Sequence, residues 1–284
     1  MNTNKRNPKR LWRIGFGQWL ADDSGQVQGL KALTPIRVNS CPFVVFHSGI
    51  VLAVLFCLGC QTTAPSNPRA ADDSSVQSAF TNSLATHNST QWEKEIAAFE
   101  AKDRTNPPPK GCIVFVGSSS IKRWTNLTAD FPSLPVVNRG FGGSQLADSV
   151  NFASRIIIPY KPRQVVIYAG GNDINAGKEP EVVFGDFAAL AARIKTELPR
   201  TRIAFISSAP NLKRWAQVEK VKRLNELAAD YCHRHGITFI NVFPLMLGPD
   251  GHPKPDIFVE DGLHMNQKGY AIWKQAVGPH LRAD

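Results

Sequence analysis

Ser119, Asp261 and His264 are residue types that together can run acyl transfer. A serine hydroxyl is a weak nucleophile until a base takes its proton. Histidine is the side chain best suited to act as that base near neutral pH. Asp261 stands three residues before His264. A tight turn can therefore set the carboxylate against one ring nitrogen and leave the other facing Ser119. Charge developing on an attacked carbonyl oxygen needs fixed donors. The main-chain N–H groups of Ser119 and Gly143 and the side-chain amide of Asn172 are the candidates. Glycine suits that role because no Cβ separates its backbone from a substrate.

These residues follow short apolar runs. Ser119 comes just after the β-branched run 112–117 and lies in Gly117-Ser118-Ser119-Ser120. A second run, 135–138, leads into the glycine-dense stretch Asn138-Arg139-Gly140-Phe141-Gly142-Gly143-Ser144. A third, 164–169, leads into Gly170-Gly171-Asn172-Asp173. Two further runs, 202–207 and 237–242, complete the set, and Asp261-Gly262-Leu263-His264 follows the last. Runs of this length and composition read as buried strands. Between them lie segments with helical spacing of apolar residues, at 92–102, 144–157, 181–198 and 214–235, and a final one through Tyr270, Trp273 and Val277. Strands alternating with helices predict an α/β fold with a five-stranded parallel sheet covered on both faces. Crossovers are expected to be right-handed. In such a sheet the strand ends share one edge, so the four motifs converge there.

The four blocks resemble those of the SGNH hydrolases, the GDSL esterase/lipase family. Ser119 falls at the family's nucleophile position, and Ser118 stands where aspartate is usual. Asn138-x-Gly-x-x-Gly143 matches the second block, with Gly143 as the oxyanion glycine. Gly170-Gly171-Asn172-Asp173 matches the third, with Asn172 as donor, and Asp261-x-x-His264 the last. The resemblance runs from Cys112 to the last helix. It implies a flavodoxin-like three-layer α/β/α sandwich, ester hydrolysis through an acyl-enzyme, and no cofactor. The usual aspartate is not a triad member, so its replacement by Ser118 leaves the catalytic set complete.

Composition narrows the alternatives. Hydrophobic residues make up 43% of the 284 and charged residues 20%, a globular balance. The net charge of +10 suggests nucleic acid until it is located. Residues 1–42 hold seven basic side chains against Asp22 and Asp23, half of the excess. No basic run interleaved with aromatics occurs beyond them, which argues against nucleic-acid binding. Cys112 and Cys232 read as small buried hydrophobes, although sequence leaves a disulfide between them open. Cys57 and Cys60 form a CxxC, but no second pair stands at partner spacing, and His233 and His235 point to different sides of a helix, so no metal site is expected.

Four segments are expected: a basic polar extension at 1–42, an apolar segment at 43–60, a polar linker at 61–87, and the hydrolase domain at 88–284. The apolar segment ends in Leu58-Gly59-Cys60-Gln61 and a flexible polar stretch. That pattern resembles a bacterial lipoprotein signal, with Cys60 as the lipidated residue. Cys57 stands where leucine is usual, and the basic lead is long. An uncleaved membrane anchor and ordinary signal cleavage remain alternatives. All three export the domain, with membrane attachment only through this N-terminal segment.

The expected function is a serine esterase acting on small acyl groups. Acetyl esters of carbohydrates are the leading substrates, with lysophospholipids and thioesters open. No long apolar insertion reads as a lid, and Arg139 and Asn211 are expected at the mouth, Arg139 as a substrate contact. The alternative from another class is a non-catalytic surface module that holds a glycan or acylated ligand in the same cleft.

Overall fold

The computed structural model describes residues 84–283. Segments 1–42 and 43–60, Cys60 and most of the 61–87 linker therefore lie outside the described residues. The chain enters through helix α1 (Glu93–Thr105) and forms β1 (Ile113–Gly117). Two short helices follow, α2 (Ser119–Lys122) and α3 (Leu127–Asp130), then β2 (Val136–Gly140) and α4 (Leu146–Ile156). Next come β3 (Gln164–Tyr168), α5 (Gly171–Asn175), α6 (Pro180–Glu197) and β4 (Arg202–Ile206). Helix α7 (Val218–His235), β5 (Thr238–Ile240) and α8 (Gln267–Val277) complete the domain.

All strand pairs are parallel, in the order β2-β1-β3-β4-β5. The period-two alternation of strands divides the buried side chains between two cores. Val114, Val116, Val165 and Ile167 pack with α1, α4, α6 and α7. Ile113, Phe115, Val166 and Ile206 pack with α2, α3 and α8, around Trp124 and Trp273. The result is a three-layer α/β/α sandwich. From β1 the chain steps outward to β2, then returns across β1 to β3. The β1/β3 gap is thus a switch point, where open α/β sheets form their clefts.

Several boundaries differ from the sequence reading, each for a local reason. Strand β2 runs two residues further, to Gly140, because Gly117 and Gly140 still pair. A Cβ on Gly140 would stand 2.2 Å from the Lys122 nitrogen, so only glycine lets the strand pass α2. Strand β5 stops early because the Val242 nitrogen turns back to the Ile240 carbonyl. Helix α7 starts at Val218, after a separate 3₁₀ turn at Trp215–Gln217. Residues 84–87, assigned to the linker on composition, already pack on the domain. Leu84 contacts the core and His87 Nε2 lies 2.7 Å from Asp148 Oδ1. Cys112 and Cys232 are free, buried thiols rather than a disulfide.

Candidate active site

Gly117 ends β1 with φ of +143°, in the region that favours glycine. A Cβ there would sit 1.8 Å from the Tyr168 carbonyl oxygen. This close passage lets the Ser118 nitrogen donate to that oxygen at 3.1 Å. The Ser118 carbonyl then accepts from Ile121 and Lys122, closing the first turn of α2. Ser118 thus caps with its main chain, and its side chain makes no capping bond. Ser119 is left at the helix start, and among the described residues its N–H meets no protein acceptor.

The loop after β2 is braced against the same helix. Asn138 Nδ2 donates to the Ile121 carbonyl at 2.6 Å, and Asn138 Oδ1 accepts from the Gly140 nitrogen. The Phe141 nitrogen donates to the Gly117 carbonyl at 2.9 Å. Gly143 turns with φ of +81° against the Trp92 ring. Its N–H, like that of Ser119, meets no protein acceptor among the described residues.

After β3 the expected turn is the opening of α5. Asn172 Nδ2 donates to the Ser144 carbonyl at 3.0 Å, tying this loop to the Gly143 loop. The partner of Asn172 Oδ1 is Arg214 Nη1, also at 3.0 Å. Asp173 points away from the cleft and is fully buried. Its Oδ1 accepts from the Leu146 nitrogen at the start of α4. Burial pushes the Asp173 carboxyl up to about 6, against the opposing pull of that bond and of Lys178.

His264 reaches the site from the loop after β5. Its Nδ1 lies 2.6 Å from Asp261 Oδ2, while Asp261 Oδ1 accepts from the His264 and Leu263 nitrogens. Desolvation raises the Asp261 carboxyl, yet these bonds outweigh it and hold the group well below the usual carboxylate range. An ionised carboxylate can only accept, so Nδ1 carries the proton. The Nε2 lone pair then faces Ser119 Oγ at 3.0 Å. A hydroxyl, an imidazole and a carboxylate in this chain can pass a proton from oxygen to nitrogen while the ring stays in place.

Ser119, His264 and Asn172 line one cleft, with Tyr168, Asn211 and Arg214. Gly143 stands on the adjoining loop, outside the lining. Arg139 requires a correction. It is 5% exposed and lies on the α1 side of the sheet, away from the cleft. There it pairs with Asp103, donates to Tyr160 Oη at 2.9 Å, and covers the Phe99 ring. The arginine at the cleft is Arg214, which sequence reasoning missed. Its one signal was position, since the chain after β4 leaves the same sheet edge as the other motifs.

A family model described as the GDSL-like Lipase/Acylhydrolase family matches residues 106–272. No curated protein matches the chain. Among solved structures, a GDSL-like lipase from Bacteroides thetaiotaomicron aligns at 20% identity with a TM-score of 0.57, over 65% of this chain and 96% of that one. A lipase/acylhydrolase from Enterococcus faecalis aligns at 18% identity and 0.51, over 61% and 98%. At such identities these likenesses establish the fold. The family match spans more than half of the sequence and includes every loop that borders the cleft: the chain belongs to the GDSL-like Lipase/Acylhydrolase family.

Proposed function

We propose that this protein is a serine esterase in which Ser119 is the nucleophile, His264 the general base and Asp261 the residue that orients it. One observation carries the reading: Ser119 Oγ, His264 and Asp261 are linked in order by contacts of 3.0 and 2.6 Å. His264 Nε2 takes the Ser119 proton as Oγ attacks the ester carbonyl carbon. The carbonyl oxygen becomes an oxyanion held by the Ser119 and Gly143 N–H groups and the Asn172 amide. The tetrahedral intermediate collapses, the C–O bond to the alcohol breaks, and His264 returns the proton to the leaving oxygen. Water repeats the sequence on the acyl-enzyme, releasing the acid and restoring Ser119.

Small acyl groups, acetyl above all, attached to carbohydrate are the substrate class this reading favours. Its support is a cleft bordered by the polar side chains of Asn211, Arg214 and Asn172, and no cofactor is required. A hydrolysis panel tests it: aryl esters of rising acyl length, acetylated polysaccharides and a lysophospholipid. Activity falling steeply beyond acetyl, with acetate released from polysaccharide, is expected. Preference for long acyl chains or for the lysophospholipid would overturn the substrate class.

The domain is also proposed to act outside the cytoplasm, tethered through Cys60 to a bacterial envelope membrane. The support is the apolar segment 43–60 and the polar stretch after it, read from sequence.

A further inference from the structure

Among the described residues, Arg214 is the only lysine or arginine lining the cleft, and no aspartate or glutamate lines it. Its guanidinium is half-buried, and desolvation lowers its pKa from the usual arginine value. Arginines placed in this way commonly face a carboxylate that offsets the lost hydration. None does so here among the described residues. Nη1 uses both its protons within the protein, on the Gly171 carbonyl at 3.1 Å and on Asn172 Oδ1 at 3.0 Å. These bonds hold the guanidinium plane in place beside the oxyanion donor. The Nε and Nη2 protons meet no protein acceptor among the described residues. That edge is the planar fork that binds a carboxylate with two parallel hydrogen bonds.

We propose that Arg214 determines specificity by binding an anionic oxygen group, a carboxylate in the simplest case, on the alcohol side of the ester. The inference rests on the small-acyl reading above: an acetyl group carries no charge, so an anion that meets Arg214 belongs to the alcohol. The substrate class becomes acetyl esters of acidic carbohydrate or of other acidic alcohols. Through Nη1, Arg214 is also a positioning residue for the Asn172 amide. Its loss therefore slows neutral esters as well, and the anion-specific part is what identifies the binding role.

The test compares 4-acetoxybenzoate with its methyl ester, which share the acetyl group and differ in charge. The ratio of their kcat/KM values is measured in wild type and in Arg214→Gln. Taking wild type over variant cancels the intrinsic difference between the two leaving groups. A charge-assisted, two-bond contact corresponds to roughly 10- to 100-fold, so the ratio is expected to fall by at least about tenfold in Arg214→Gln. Arg214→Lys keeps the charge without the fork and should fall between, which also covers the case in which the glutamine variant does not fold. An unchanged ratio in both folded variants would overturn the proposal, whatever happens to neutral turnover. The acyl side is probed with 4-nitrophenyl hemisuccinate against 4-nitrophenyl butyrate. An Arg214-dependent preference there instead would overturn the alcohol-side assignment. Calorimetric binding of both acetoxybenzoates to Ser119→Ala separates this inference from the esterase reading. Tighter binding of the acid, lost on adding Arg214→Gln, supports the anion site even if wild type hydrolyses neither compound. Equal binding of acid and methyl ester contradicts it.

Discussion

The main-chain nitrogen of Leu146 donates to Asp173 Oδ1 at 2.9 Å, joining the loop that carries Asn172 to the helix that follows Gly143. The two loops bearing the proposed oxyanion donors are thereby fixed to each other behind the cleft. The joint is a fully buried carboxyl whose second oxygen, Oδ2, has no hydrogen-bond partner among the described residues. Lys178 Nζ stands 4.0 Å from Oδ1 and also bonds Asp186.

This arrangement has a defined pH signature. Burial raises the Asp173 carboxyl to about 6 in the folded protein, above the ordinary aspartate value of 3.8. The folded state therefore binds the proton more tightly. The resulting stabilisation is full below about pH 4 and is lost as pH rises through 6. A shift of about two units corresponds to about 3 kcal/mol. Asp173→Asn keeps an acceptor for the Leu146 nitrogen and removes the charge. Its stability relative to wild type, from urea unfolding, should improve by about 2–3 kcal/mol between pH 4 and pH 8. A difference that stays constant with pH would show that Asp173 does not titrate in this range.

His264→Ala removes the proposed base, and Asp261→Asn removes the charge that sets its tautomer. Each should lower kcat by about 10²–10⁴-fold with little change in KM. Asp261 is exposed and His264 partly so, and thermal unfolding should show both variants folded. Near-wild-type kcat in His264→Ala would remove it from the mechanism.

Two glycines separate structural from functional demand. At Gly117, alanine would place its Cβ 1.8 Å from the Tyr168 carbonyl oxygen with φ at +143°. Gly117→Ala should cost more than about 3 kcal/mol or prevent folding. At Gly143 the same change meets only the Trp92 ring, at 3.2 Å, with φ at +81°. Gly143→Ala should remain folded, destabilised by about 1–2 kcal/mol. Its kcat should fall at least about tenfold as the N–H shifts from the oxyanion position. Unfolding midpoints and kcat for the pair check this, and unaltered kcat in Gly143→Ala would argue against that donor.

The core strands and the order of the four blocks were legible because they follow local rules. Apolar runs bounded by glycine and polar residues mark parallel strands, and parallel strands bring their ends to one edge. That convergence pointed to Asn172, Asp261 and His264, and the family resemblance singled out Ser119 among three adjacent serines. Arg139 could not be placed, because its direction depends on where β2 stops. The reading ended the strand at Asn138 and put Arg139 in the loop. Pairing continues to Gly140, so Arg139 lies within the strand and shares the parity of Val137, on the α1 face. Arg214 was missed for a related reason. Before a helix it reads as any surface arginine, and its partner Asn172 lies 42 residues away in sequence. The bracing roles of Asn138 and Asp173 likewise depend on loops that only the folded sheet brings together.

Cys60 lies outside the described residues, and its proposed lipidation has its own test. Cys60→Ser should move the protein from the membrane fraction to the soluble fraction of cells expressing the full chain. Unchanged membrane retention would favour a plain anchor in segment 43–60.

The nucleophile assignment is tested most directly by treating the folded full-length protein with a fluorophosphonate probe and mapping the labelled peptide. Label on Ser119 in wild type, absent from Ser119→Ala, is the expected result. Folded wild-type protein that takes no label, or Ser119→Ala that labels as wild type does, would contradict the account.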